Sequence, residues 1–99
     1  MPPVSVTIIT KDEAANIEAC LASVAWADER LVVDSGSRDD TAAIAQRAGA
    51  RVITRDWPGY AAQKNAAAAE AAHDWILSLD ADERVPPALA DEIDRKSVV

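Results

Sequence analysis

Hydrophobic positions in this chain fall in short blocks separated by polar stretches, and their spacing switches between two periods. Val4-Ser5-Val6-Thr7-Ile8-Ile9-Thr10 is rich in β-branched residues and nearly continuous in apolar character. That pattern predicts a strand buried on both faces, as in a parallel sheet. Ile17, Leu21 and Val24 then recur at helical spacing, predicting a helix from about Ala14 to Val24. Trp26 falls in the connection that follows and reads as a packing residue. Arg30 to Val33 reads as a second strand. Thr41 to Ala48 reads as a helix stopped by Gly49, with Ser37 and Asp40, three positions apart, as its N-terminal cap signal. Arg51 to Thr54 is a third, weaker strand. Arg55 to Tyr60 is a loop punctuated by Pro58 and Gly59. Ala61 to Ala72 is alanine-dense and helical by propensity. Trp75 to Leu79 has the length of a buried strand, and Pro86 or Pro87 opens a last helix through Ile93.

Eight elements therefore alternate strand and helix with short links, the pattern of an α/β fold with a parallel sheet and right-handed crossovers. Ligands of open α/β sheets bind beyond the carboxyl ends of the strands. Lys11 to Glu13, Asp34 to Ser37, the Arg55 loop and Asp80 to Asp82 would all lie along that one edge.

Length and charge narrow the possibilities. The 99 residues make at most one small domain. A net charge of −7 argues against a nucleic-acid footprint and against a general grip on anionic membranes. No apolar run is long enough to span a bilayer, and the first residues lack the basic and long apolar segments of a signal peptide. The one cysteine, Cys20, lies on the apolar side of its helix and reads as a buried small hydrophobe.

The chemistry concentrates at Asp80-Ala81-Asp82. Alternation along a strand puts Asp80 and Asp82 on the same side, where two carboxylates repel unless a hard divalent cation lies between them. Oxygen ligands suit Mg²⁺ or Mn²⁺, and Mg²⁺ is usually shared with substrate phosphates. The plainer alternative is a solvated turn that caps the next helix. Asp34 is open in the same way: it could accept a hydrogen bond from a ribose or a base, or cap its own turn. Lys64, between Gln63 and Asn65 in the alanine-rich helix, suggests a polar contact such as a phosphate or nucleobase; a surface lysine is the alternative. His73 reads as a polar residue at a helix end. Arg84 could offset the neighbouring acids or approach a phosphate.

Four blocks, Val6 to Glu13, Val33 to Thr41, Gln63-Lys64-Asn65 and Leu79 to Glu83, resemble the family 2 glycosyltransferases of the GT-A fold. Arg55 to Tyr60 together with Gln63-Lys64-Asn65 resembles the bacterial lipopolysaccharide core β-1,4-glucosyltransferase branch. The resemblance reaches about Ile93. It implies a three-layer αβα sandwich with a Rossmann-like parallel sheet, here truncated to about four strands. It also implies a UDP-sugar donor, with glucose as the transferred hexose, inversion at the anomeric carbon, and Mg²⁺ or Mn²⁺ as cofactor. Thr10 and Glu13 match the loop that borders the uridine, and Asp34 matches the acid that contacts base or ribose. Lys64 matches a basic residue near the donor. Asp80 and Asp82 match the Asp-x-Asp motif, Asp82 as the metal contact and Asp80 facing ribose and metal. Lys11-Asp12-Glu13 stands where this branch more often has Lys-Asn-Glu.

The same resemblance implies that residues 1–99 are the N-terminal, donor-binding part of a longer catalytic domain. The catalytic base is then expected downstream, with none in this chain, and Ser97-Val98-Val99 is either a true terminus or a junction. The acceptor would be a glycan or a lipid-linked sugar, at a cytoplasmic site or the inner face of the inner membrane. The fourth strand would lack a neighbour and offer an exposed edge for self-association. Three other functions compete. A nucleotide-sugar-binding module without turnover fits the missing base. Aspartyl phosphotransfer wants its acids after the first strand. A dinucleotide fold wants a Gly-x-Gly-x-x-Gly that is absent here.

Overall fold

A computed structural model describes residues 2–96. Four strands and four helices alternate: β1 (Val4–Thr10), α1 (Ile17–Ser23), β2 (Glu29–Asp34), α2 (Thr41–Arg47), β3 (Arg51–Thr54), α3 (Tyr60–Glu70), β4 (Trp75–Asp80) and α4 (Pro87–Lys96). All neighbours in the sheet are parallel and the order is β3-β2-β1-β4. The α/β fold expected from the alternation is the one observed.

β1 is central, and every one of its residues is buried. Its even-numbered side chains Val6 and Ile8 join Ile17, Cys20 and Leu21 of α1, Val24 just after it, Ala45 of α2, Val85 before α4 and Ala90 within it. On the other face Ile9 joins Leu31, Val33 and Ala67 of α3. Helices thus cover both faces and the sandwich has three layers. Cys20 is fully buried, and burial pushes its thiol up to about 11, so it packs as a small hydrophobe. Trp26 packs on the same core, its indole N–H donating to the Ser23 carbonyl.

Several element boundaries differ from expectation for identifiable reasons. The first helix starts at Ile17 rather than Ala14; residues 14–16 form a turn in which the Glu13 carbonyl accepts from both Asn16 N–H and Ile17 N–H, with Asn16 as the N-cap. Ser37 does not cap α2. Its hydroxyl donates to Asp34; Asp40 holds the N-cap position without a side-chain capping bond, and Asp39 accepts from Thr41 N–H at 3.0 Å and from the Thr41 hydroxyl. Gly49 stops α2 with a φ of +92°, as its position suggested. The last helix runs on to Lys96, three residues past Ile93. Ser97 to Val99 lie outside the described residues.

Candidate functional site

The register of the sheet brings the chemistry together. Thr10 pairs with Asp34, Asp34 with Thr54, and Ile9 with Asp80. The loops after β1, β2, β3 and β4 therefore emerge side by side along one edge. An open cleft of about 280 Å³ lies there, lined by Ile9, Thr10, Lys11, Glu13, Trp57, Tyr60, Asp80, Ala81 and Asp82. Of the six residues singled out for a donor site, Thr10, Glu13, Asp80 and Asp82 line it.

The first two loops are latched to each other. Asp12 N–H donates to Ser37 Oγ at 2.8 Å, and Arg38 N–H donates to Asp12 Oδ1 at 2.7 Å. Asp12 holds a φ of 54° to do so, a conformation that Asp and Asn tolerate better than other residues. The latch turns the Glu13 carboxylate toward the cleft, where Asn16 Nδ2 donates to it at 2.9 Å.

β4 ends at Asp80, so strand alternation is not what unites Asp80 with Asp82. A turn closed by Glu83 N–H donating to the Asp80 carbonyl carries Asp82 back over the same cleft. Asp82 is exposed, whereas Asp80 is half-buried and its carboxylate accepts from the Tyr60 hydroxyl. Among the described residues Arg84 forms no ion pair with these acids. It donates to the carbonyls of Ala81 and Glu83 and to Asn16 Oδ1, pinning the turn to the start of α1.

Asp34 and Lys64 do not line the cleft. Asp34 is 2% exposed, and its carboxylate accepts from Gly36 N–H, Ser37 N–H and the Ser37 hydroxyl. It caps its own turn, the second of the two readings open for it. Lys64 lies one turn behind Tyr60, its ammonium 4.8 Å from the centre of that ring. Tyr60 first, and then Asp80 and Glu83, hold the Lys64 pKa above its ordinary value. Gln63 is fully buried and donates to Ser35 Oγ at 3.2 Å. Gln63 and Lys64 of the polar triplet thus make contacts within the protein itself.

Tyr60 and Trp57, loop residues by their sequence pattern, also line the cleft. The available signal was an aromatic pair flanking Pro58-Gly59 just before a helix whose start faces the ligand edge.

Two observations bear on a metal and a phosphate ligand. Among the described residues no three His, Cys, Asp or Glu side chains converge as a ready-made cage. Mg²⁺-type sites commonly use one or two carboxylates and complete their shell with water and substrate phosphates, so Asp80 and Asp82 on an open cleft fit such an ion. The Thr10 hydroxyl, in the wall of the same cleft, is buried with no hydrogen-bond partner. Such an orphan points to a missing partner.

Comparison with known proteins agrees with this geometry. The family model described as glycosyl transferase family 2 matches residues 5–96. An uncharacterized glycosyltransferase of Rickettsia felis is 50% identical over 95 residues, covering 95% of this chain and 34% of the relative. The lipopolysaccharide core biosynthesis glycosyltransferase LpsC of Rhizobium meliloti is 40% identical over 92 residues, covering 88% of this chain and 34% of LpsC. Glucosyl-3-phosphoglycerate synthase of Mycobacterium tuberculosis, solved with Mn²⁺, UDP and glucosyl-3-phosphoglycerate, superposes with a TM-score of 0.75 at 30% identity, over 86% of this chain and 35% of the synthase. The chain spans about a third of the length of the relatives it matches. With a family match over almost its whole length, the chain belongs to glycosyl transferase family 2.

Proposed function

We propose that this chain is the donor-binding part of an inverting, metal-dependent glycosyltransferase. It holds a UDP-sugar, with glucose as the transferred hexose, for a lipopolysaccharide core or another glycan or lipid-linked acceptor. The supporting observation is the convergence of Thr10, Glu13, Asp80 and Asp82 on one open cleft at the carboxyl edge of the sheet. The relatives support the finer points: LpsC by its name for the acceptor class, and the mycobacterial synthase by its Mn²⁺, UDP and UDP-glucose complexes for the donor. A UDP-sugar donor suits a cytoplasmic site at the inner face of the inner membrane. Among the described residues no helix is long and apolar enough to cross a membrane.

The roles are those the family resemblance implies. Asp82, exposed on its turn, would contact the metal, and Asp80 would share the cation and face the ribose. A bound Mg²⁺ or Mn²⁺ offsets the negative charge that develops on the departing nucleoside diphosphate. Thr10 offers a hydroxyl in the wall of the cleft, and Glu13 a carboxylate beside it. Asp34 shapes the loop bordering the nucleoside, and its Oδ1, which accepts only from the Ser37 hydroxyl, keeps one acceptor site for base or ribose. Lys64 adds positive charge behind Asp80. No residue of the cleft is assigned the role of the base that takes the acceptor proton.

Calorimetry of UDP binding, with Mn²⁺ and then with a chelator, tests the proposal. The expected result is binding that weakens on chelation and in Asp82→Ala. Equal binding with and without metal, in both chains, refutes it.

A further inference from the structure

Tyr60 stands at the mouth of the cleft, placed there as the first residue of α3 by Gly59, which caps the helix at a φ of +116°. The Tyr60 hydroxyl lies 3.1 Å from Oδ1 and 3.1 Å from Oδ2 of Asp80. The hydroxyl oxygen is equidistant from the two carboxylate oxygens, so one donor is shared between both of them. Core packing does not explain this placement, since the side chain is 51% exposed. The edge of its ring meets Trp57 with centroids 6.5 Å apart and planes at 62°. Its ring carries the Lys64 ammonium. Among the described residues no ion pair joins Lys64 to a carboxylate.

We propose that Tyr60 is a positioning residue of the donor site: its hydroxyl fixes the Asp80 carboxylate and its ring stations the Lys64 ammonium, so both charges meet a nucleoside diphosphate in one arrangement. The inference rests on the donor-site reading above. The Tyr60 hydroxyl, shared between the two Asp80 oxygens at 3.1 Å each, occupies the position between them. The outer lone pairs of Asp80 stay free for a cation held with Asp82. The aromatic ring attracts the ammonium by its quadrupole, which keeps Lys64 near Asp80 without neutralising it. Orientation is thereby settled before the ligand arrives, and less freedom is lost on binding.

A calorimetric cycle on the full 99-residue chain tests this. UDP binding is measured with Mn²⁺ and with chelator for the parent, Tyr60→Phe, Asp80→Asn and the double variant. Phenylalanine keeps the ring and removes only the hydroxyl. Tyr60→Phe is expected to weaken Mn²⁺-supported binding about tenfold, the worth of one hydrogen bond to a charged group. Binding in chelator and the thermal midpoint should be unmoved, and the loss should vanish in the Asp80→Asn background. Undiminished binding in Tyr60→Phe, or the same loss with and without Asp80, overturns the inference while leaving the donor site standing. A parent chain whose UDP binding ignores Mn²⁺ overturns both.

Discussion

Thr10 ends β1 with a hydroxyl that is buried and unpartnered, and an unsatisfied buried polar group costs about 1–3 kcal/mol. Removing the hydroxyl while keeping the shape separates stability from function. Thr10→Val should raise unfolding stability by about 1 kcal/mol and weaken UDP binding; a variant that loses stability and binds UDP as before would contradict the role given to Thr10. Glu29 carries the opposite kind of residue effect. It accepts from Ser5 Oγ and Ala72 N–H, each at 2.8 Å, and from Arg51 at 3.2 Å. Burial raises its pKa, but these three donors outweigh burial and hold the carboxyl below its ordinary value near 4.5. Its contribution is therefore fully present above that value and is lost as the pH falls through the lower folded value. Denaturant titrations from pH 7 down to 3 should show about 1–2 kcal/mol of this loss, absent in Glu29→Gln. An identical acid slope in the variant would show that Glu29 is not the group responsible.

At the scale of elements, the site depends on where strands stop and helices start. Gly59 begins α3 in a backbone conformation that L side chains rarely adopt, although a side chain there would meet open space. Gly59→Ala should thus be destabilising by about 1–2 kcal/mol through backbone strain alone and should displace Tyr60 from Asp80. Chemical unfolding and UDP affinity measured together check this, and a variant normal in both would contradict it. The strands were legible because β-branched runs and the Gly49 stop speak through local preference. Their shared edge followed from the alternation of elements. The joints were less legible because they depend on partners distant in sequence. Ser37 looks like a helix cap until Asp34 and Asp12 compete for it. Asp82 reaches the cleft by a turn rather than by strand alternation. Tyr60 gains a role only when β4 is placed beside β1 and Asp80 faces α3. Asp34, with both readings open from sequence, proves to be the cap of its own turn.

For the whole molecule, the order β3-β2-β1-β4 leaves β4 at a sheet edge, with Trp75 and Ile76 42% and 38% exposed. An exposed apolar strand edge favours pairing with another chain. Light scattering over a concentration series should show self-association, relieved by Ile76→Lys; a chain that stays monomeric throughout removes β4 as an adhesive edge. A second cavity of about 290 Å³, lined by Pro2, Pro3, Ala72, His73, Asp74 and Trp75, opens at the amino ends of β1 and β4, far from the acidic edge. That polarity allows a direct test of where the nucleotide and its metal bind. Mn²⁺ broadens nearby amide resonances, so a ¹⁵N-labelled chain titrated with Mn²⁺ in the presence of UDP reports the site residue by residue. The expected result is selective loss of signals from Thr10 to Glu13 and from Asp80 to Glu83, with His73 to Trp75 untouched. Broadening centred on His73 to Trp75, or spread evenly over the surface acids, would contradict a donor site at the carboxyl edge of the sheet.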